Sequence, residues 1–326
     1  MNLRLPPSLQ WTSLPWMSLR WVHLLAGVLI LALVTAGCDS GMDDPPPPTE
    51  DPTTIADIVA DDGNFSTLLS LLQDEGLTDA LGDEDATFTA FAPTDAAFGP
   101  YDLDAIAGTE GAVGSILRYH VVEGAAVAAG DLTDGQTIET LAGDEVTVSI
   151  QDGNVFIDGS QVTQADVEAD NGIVHVIDRT LIGNQNLANV AAFVGETSAL
   201  FDALAGAGLG EAVAGAENWT VFGPNNSAFE SADLSGFTES EIAEILQYHV
   251  FADGTVDSAS LLALLSDEGG ETTLETLQGE DLTVALDGEQ VVFNDGQATL
   301  DVDNLDYFAS NGILHVIDGL LVPPSL

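Results

Sequence analysis

An eight-residue stretch, Asn171-Gly172-Ile173-Val174-His175-Val176-Ile177-Asp178, returns almost unchanged as Asn311-Gly312-Ile313-Leu314-His315-Val316-Ile317-Asp318. A chain that repeats itself at such a distance contains two copies of one folding unit, each closed by the same segment. The segment reads as a strand that is apolar on both faces. Ile173 and Ile177 flank His175 on one side, and Val174 and Val176 point to the other. A strand covered on both sides belongs in the middle of a sheet. The Asn-Gly pair ahead of it suits a tight turn with positive φ.

Two further segments recur in the same order. Thr87 to Phe98, a short apolar strand ended by Pro93, matches Asn218 to Phe229, ended by Pro224. Proline stops a strand because it has no N–H for the ladder. Thr94 or Asp95, and Asn225 or Asn226, are then suited to cap a short helix. Next, Val113, Ile116, Leu117 and His120 fall at the same offsets as Ile242, Ile245, Leu246 and His249. That i, i+3, i+4, i+7 spacing is one helix face, so both histidines lie on an apolar stripe with Tyr119 and Tyr248 beside it. Thr238-Glu239-Ser240-Glu241 has the spacing of a capping box. Later in each copy, Val146, Val148 and Ile150, like Leu282, Val284 and Leu286, alternate with polar residues before an Asp-Gly pair, which predicts a hairpin. The distance between copies grows from 136 residues at Leu141/Leu277 to 140 at Asn171/Asn311, which predicts four extra residues near Asp303 to Tyr307.

These ordered motifs, three in each copy, resemble the fasciclin domain over residues 53–183 and 185–323. The resemblance implies an α+β fold: two fasciclin-like domains, each a mostly antiparallel β-wedge or sandwich with several packed helices. It also implies extracellular work, commonly adhesion, without catalytic machinery. In animal members the region of the Tyr-His motif is linked to partner binding, which by position nominates Tyr119, His120, Tyr248 and His249 as candidate contacts. Asn171, Gly172, His175, Asp178, Asn311, Gly312, His315 and Asp318 are read as structural residues of the closing strand.

Ahead of the repeats, Arg20 precedes an apolar run from Leu24 to Val34, too short to span a bilayer as a helix. It ends in Thr35-Ala36-Gly37-Cys38, which resembles the lipobox of bacterial lipoproteins, although Thr35 stands where that family usually has leucine. Cys38 is the only cysteine, so no intramolecular disulfide competes for it. Residues 1–37 are therefore expected to be a signal peptide, with Met17 as an alternative start, and Cys38 the lipidated residue. Residues 38–52, with Pro45 to Pro48 among acids, read as a semi-rigid tether extending about 3.1 Å per residue.

All four histidines beyond the signal lie inside the repeated motifs. Their placement favours hydrogen-bonded core residues over metal ligands or acid–base groups, and no metal or cofactor is expected. No Gly-x-Ser-x-Gly nucleophile elbow occurs. The expected function is a non-enzymatic, lipid-anchored protein of a bacterial cell envelope, on the surface or the periplasmic face, that mediates adhesion or matrix contacts with a protein or glycan partner. The alternative is a periplasmic binding module for a small ligand, glycan or envelope protein.

The charge decides a further class. Against 54 Asp and Glu there are four arginines and no lysine, and only Arg118 and Arg179 lie beyond the signal. Such a surface repels phosphate backbones, which excludes nucleic acid as a partner. Regular apolar runs argue against disorder. The composition instead suits a saline habitat, because the Debye length falls to about 3 Å at 1 M salt and screens the self-repulsion. Thermal melts are expected to show higher stability in multi-molar KCl than at low salt; equal midpoints would contradict salt adaptation.

Overall fold

The structure is a computed structural model that describes residues 53–326 apart from Asp152, Asp233, Glu289 and Asp303. The expected signal peptide, Cys38 and the expected tether lie outside the described residues. The first copy contains helices α1 (Ile55–Asp61), α2 (Ser66–Asp74) and α3 (Thr78–Leu81), then strand β1 (Phe88–Pro93), α4 (Leu103–Gly108) and α5 (Ala112–Tyr119). Strands β2 (Val121–Glu123), β3 (Thr137–Glu139), β4 (Glu145–Gln151), β5 (Asn154–Ile157), β6 (Ser160–Ala169) and β7 (Gly172–Ile177) complete it. The second copy contains α6 (Leu187–Phe193), α7 (Ser198–Gly206), α8 (Gly210–Ala214), β8 (Trp219–Pro224), α9 (Asn226–Ser231), α10 (Glu239–Tyr248) and β9 (Val250–Phe251). It continues with α11 (Ser258–Asp267), β10 (Glu271–Glu275), β11 (Asp281–Asp287), β12 (Gln290–Phe293), β13 (Ala298–Thr299), β14 (Tyr307–Ala309) and β15 (Gly312–Ile317).

The closing strands are central, as their two apolar faces require. In the first copy the sheet order is β2-β1-β7-β6-β5-β4-β3; in the second, β14-β15-β8-β9 and β10-β11-β12-β13 form separate sheets. Each closing strand runs parallel to the strand that opens its copy, β7 beside β1 and β15 beside β8, while every other named pairing is antiparallel. One face of β1 and β7, including Phe88, Ala90, Val174 and Val176, meets the helices; the other, including Phe91 and Ile177, meets Val146, Val148 and Ile157 from the hairpin layer.

Local chemistry sets the helix starts. Thr54 with Asp57 and Thr238 with Glu241 form capping boxes on α1 and α10, each cap stabilising by about 1 kcal/mol. Asn225 caps α9 through Ala228 N–H at 2.8 Å. Asp95 and Asn226 do something the local pattern did not indicate. Asp95 accepts from Thr67 N–H at 2.7 Å and Asn226 from Ala199 N–H at 2.9 Å, so each caps the helix of another segment, α2 or α7.

The Asn-Gly pair straddles turn and strand. The two turn residues are Asp170-Asn171 and Ser310-Asn311, with Gly172 and Gly312 already paired in the strands. Gly172 has the expected positive φ, 152°, whereas Gly312 is not among the residues with positive φ. Close approach is the reason for glycine: a Cβ at Gly172 would collide with the Phe88 carbonyl oxygen, and one at Gly312 with that of Trp219. The extra residues of the second copy are also distributed differently. Ile157-Ser160 is joined by two residues and Phe293-Ala298 by four. The other two fall before Asp306, where one long strand, β6, becomes the separate β13 and β14. An earlier expansion, between His249 and Leu277, builds α11 where the first copy has only a short 3₁₀ turn, Ala129–Asp131.

The two copies share apolar packing. Tyr101, Ile106, Ala112 and Ile116 of the first form one buried cluster with Val190, Phe193, Val194 and Tyr307 of the second. Tyr101 and Tyr307 meet edge to face with centroids 5.9 Å apart. Arg179 lies over the Tyr307 ring at 5.1 Å and donates to the Leu305 carbonyl. Gly312→Ala is expected to lower stability by about 1–3 kcal/mol through overpacking. Chemical denaturation at native salt checks this, with Gly210→Ala, where no atom lies within 4 Å of the added Cβ, as the control. Equal loss in both would contradict the close-approach reading.

Candidate functional site

The motif residues nominated from sequence turn inward. His120 and His249 end α5 and α10, and each has both ring nitrogens bonded to backbone. Nδ1 donates to the carbonyl four residues earlier, Ile116 or Ile245, at 2.7 Å. Nε2 accepts from Leu181 or Leu321 N–H at 2.9 Å. His175 and His315 use the opposite tautomer: Nε2 donates to Val127 or Val256 O at 2.8 Å, and Nδ1 accepts from Asp166 or Asp306 N–H at 3.3 Å. Phe91 and Phe222 stack on those rings at 5.8 Å. No ring nitrogen keeps a lone pair or proton for substrate or metal. Among the described residues no group of three or more His, Cys, Asp or Glu is placed to hold a metal ion.

Burial sets the electrostatics. It pushes His120 and His249 down to about 4, against the backbone bonds that favour the charged form. It also lowers His315, opposed by the Asp306 carboxylate 3.7 Å away. Relative exposures of 2 % for Tyr119, 3 % for His120 and 0 % for Tyr248 and His249 correct their nomination as partner contacts. A helix stripe that faces the core offers no side chain to a macromolecular surface. The closing motif is a clamp throughout. Asn171 accepts from Ile55 N–H and donates to Leu81 and Asp83 carbonyls. Asn311 likewise joins Leu187, Val213 and Ala214. Asp178 and Asp318 hold the adjacent strand through Gln161 and Thr299 N–H.

The open chemistry lies at the seam of the two copies, where sequence reasoning placed nothing. A cleft of about 320 Å³ is floored by Thr147, Ser149 and Gln151 of β4 with Phe156 and Asp158, and walled by Asp257, Ser258, Asp306 and Phe308. An adjoining hollow of about 300 Å³ shares Thr147, Asp158 and Phe308 and reaches Tyr119 and Glu145. Tyr119 lies 2.9 Å from the Glu145 carbonyl and 2.6 Å from Asp158 Oδ2. At the matching place Asn294 donates to the Tyr248 hydroxyl, which donates to Asp281 O, both at 2.9 Å. Tyr119 has one proton, so a protonated Asp158 reproduces that pattern, and burial indeed raises the Asp158 carboxyl.

A model of the Fasciclin domain matches residues 63–183 and again 195–323. The chain belongs to the fasciclin family. Protein sll1483 of Synechocystis is 35 % identical over 139 residues, 41 % of this chain and 76 % of that protein. The pig transforming growth factor-beta-induced protein ig-h3 is 26 % identical over 252 residues, 73 % of this chain but only 35 % of its own length. A solved FAS1 domain pair from the insect cell adhesion molecule Fasciclin I is 19 % identical, with TM-score 0.40, over 81 % of this chain and 98 % of that one. The Tyr-His and Asn-Gly motifs that carry the family likeness are thus the clamps of the fasciclin core. The seam residues were missed because they come from distant segments with no shared local pattern.

The buried histidines predict a pH dependence. Their folded values, near 4, lie below the unfolded 6.5. The unfolded chain therefore takes up protons first, and stability present above pH 6.5 is lost as pH falls toward 4. Linkage gives a loss of about 2 kcal/mol for each histidine by pH 5. Denaturation midpoints measured between pH 7 and pH 5 are expected to fall, and to fall less steeply in His249→Gln.

Proposed function

We propose that this protein is a non-enzymatic, lipid-anchored component of a bacterial cell envelope, whose two fasciclin domains mediate adhesion or matrix contacts with a protein or glycan partner. The observation that carries the non-enzymatic part is the engagement of every motif histidine: both nitrogens of His120, His175, His249 and His315 bond to backbone groups. The lipobox-like Cys38 and the Pro-rich tether support an anchor that holds the pair away from a bilayer. Membership of the fasciclin family supports adhesion, the work that the likeness to fasciclin domains implies. Among the described residues no helix is long and apolar enough to cross a membrane.

A second reading, a binding module for a small ligand or glycan, is favoured by the seam cleft. Its walls come from both domains, and a pocket between domains is a common place for ligands. Deletion of the gene is expected to reduce surface attachment or aggregation, and Cys38→Ser to move the protein from the membrane to the soluble fraction. Protease shaving of intact cells separates an outward-facing adhesin from a protected periplasmic module. Unchanged attachment together with protection would overturn the adhesion reading.

A further inference from the structure

The two copies share the clamps of their closing motifs but differ in core side chains, as at Phe65/Thr197 and Ile157/Phe293, and at their surfaces. Some of these differences line the seam cleft. On the β4–β5 face Ser149, Gln151 and Phe156 occupy positions held in the second copy by Ala285, Asp287 and Val292, as the common strand registers show. Phe308 of β14 stands where the first copy has Glu168. Helix α11, whose first residues wall the cleft, replaces the short turn at Ala129–Asp131. Two hydrogen-bonding side chains, two phenylalanines and an added helix thus distinguish one cleft. The helix also serves the core through Leu261 and Leu265, whereas Ser149, Gln151, Phe156 and Phe308 are not among the buried core residues.

We propose that this cleft binds a neutral saccharide, an inference that rests on the binding-module reading above. The volume of about 320 Å³ falls within the range of small-ligand sites. Its lining contains no basic residue, and the N-terminus of α11 is already occupied. Asp257 accepts from Ser260 N–H at 2.6 Å, and Asp306 accepts from Ser258 N–H at 2.8 Å and from its hydroxyl. Anionic ligands therefore meet carboxylates without compensation. Those carboxylates are held in place by their backbone bonds. Acceptors fixed in this way are pre-organised for hydroxyl donors. Ser149 and Gln151 add groups that both donate and accept, while Phe156 and Phe308 offer ring surface to the C–H face of a pyranose.

An organic cation is the competing occupant, and salt separates the two. An ion pair weakens as the Debye length shrinks, whereas stacking and neutral hydrogen bonds do not. The test applies the full chain, in detergent, to an array of neutral, amino and sulfated oligosaccharides, then titrates the strongest neutral binder by calorimetry with spermidine as the cationic control. Binding is expected to be similar at about 0.5 M and about 3 M salt. It is expected to weaken about tenfold or more in Gln151→Ala and in Phe156→Ala, equivalent to about 1.4 kcal/mol. Gln151 is exposed, so its variant reports on the cleft without disturbing the core. No neutral binder, equal affinity in both variants, or binding confined to spermidine or sulfated glycans would overturn the proposal. Attachment by the deletion strain reads the adhesion proposal independently.

Discussion

The structure depends on the parallel contact between the first and last strands of each copy. At that contact the chain comes closer than a side chain permits, and Gly172 and Gly312 make the approach sterically possible. The asparagine before each glycine converts the approach into a junction. One amide side chain accepts from the first helix of its copy and donates to carbonyls at or just beyond the end of a later one. The histidine and aspartate that follow tie the same strand to the Val127 or Val256 loop and to the neighbouring strand. A segment of eight residues thus joins the chain ends of a unit more than a hundred residues long. Buried polar groups left without such partners cost about 1–3 kcal/mol each, which accounts for a motif so uniform between the copies.

A second constraint joins the copies. The first helix of the second domain, α6, packs against the helices of the first domain in one apolar cluster. At the edge of that cluster Arg179, one of the two arginines after residue 37, spans the seam to Tyr307 and Leu305. Tyr307 is pushed up to about 12, chiefly by burial, with the guanidinium acting the other way. A cation placed there gives the seam a directed contact in a chain whose surface is otherwise almost wholly acidic. With the two domains held against each other, the hollow between them becomes a defined cleft.

The histidine clamps inside each domain and the cleft at the seam differ in what they leave open to solvent. Interior histidines and tyrosines look reactive in the sequence, yet they are shielded and their hydrogen-bonding capacity is used. The side chains that line the seam cleft, Ser149, Gln151, Phe156 and Phe308 among them, are ordinary ones that only the fold brings together.

Sequence alone determined the duplication, the central place of the closing strands, the helix faces of His120 and His249, and the capping box at Thr238. Each of these is a local periodicity or spacing that burial must satisfy. It also carried the family, because the motifs are the core clamps themselves. Tertiary structure alone decided the rest. Close approach to a carbonyl across the sheet explains the glycines, and Asp95 and Asn226 cap helices of other segments. The extra residues of the second copy divide between a turn and a broken strand, and an added helix walls the cleft. The seam joins residues from β4 to β14, more than 150 positions apart. Contacts of that kind leave no period in the sequence, because their partners are chosen by packing in space and not by neighbours along the chain.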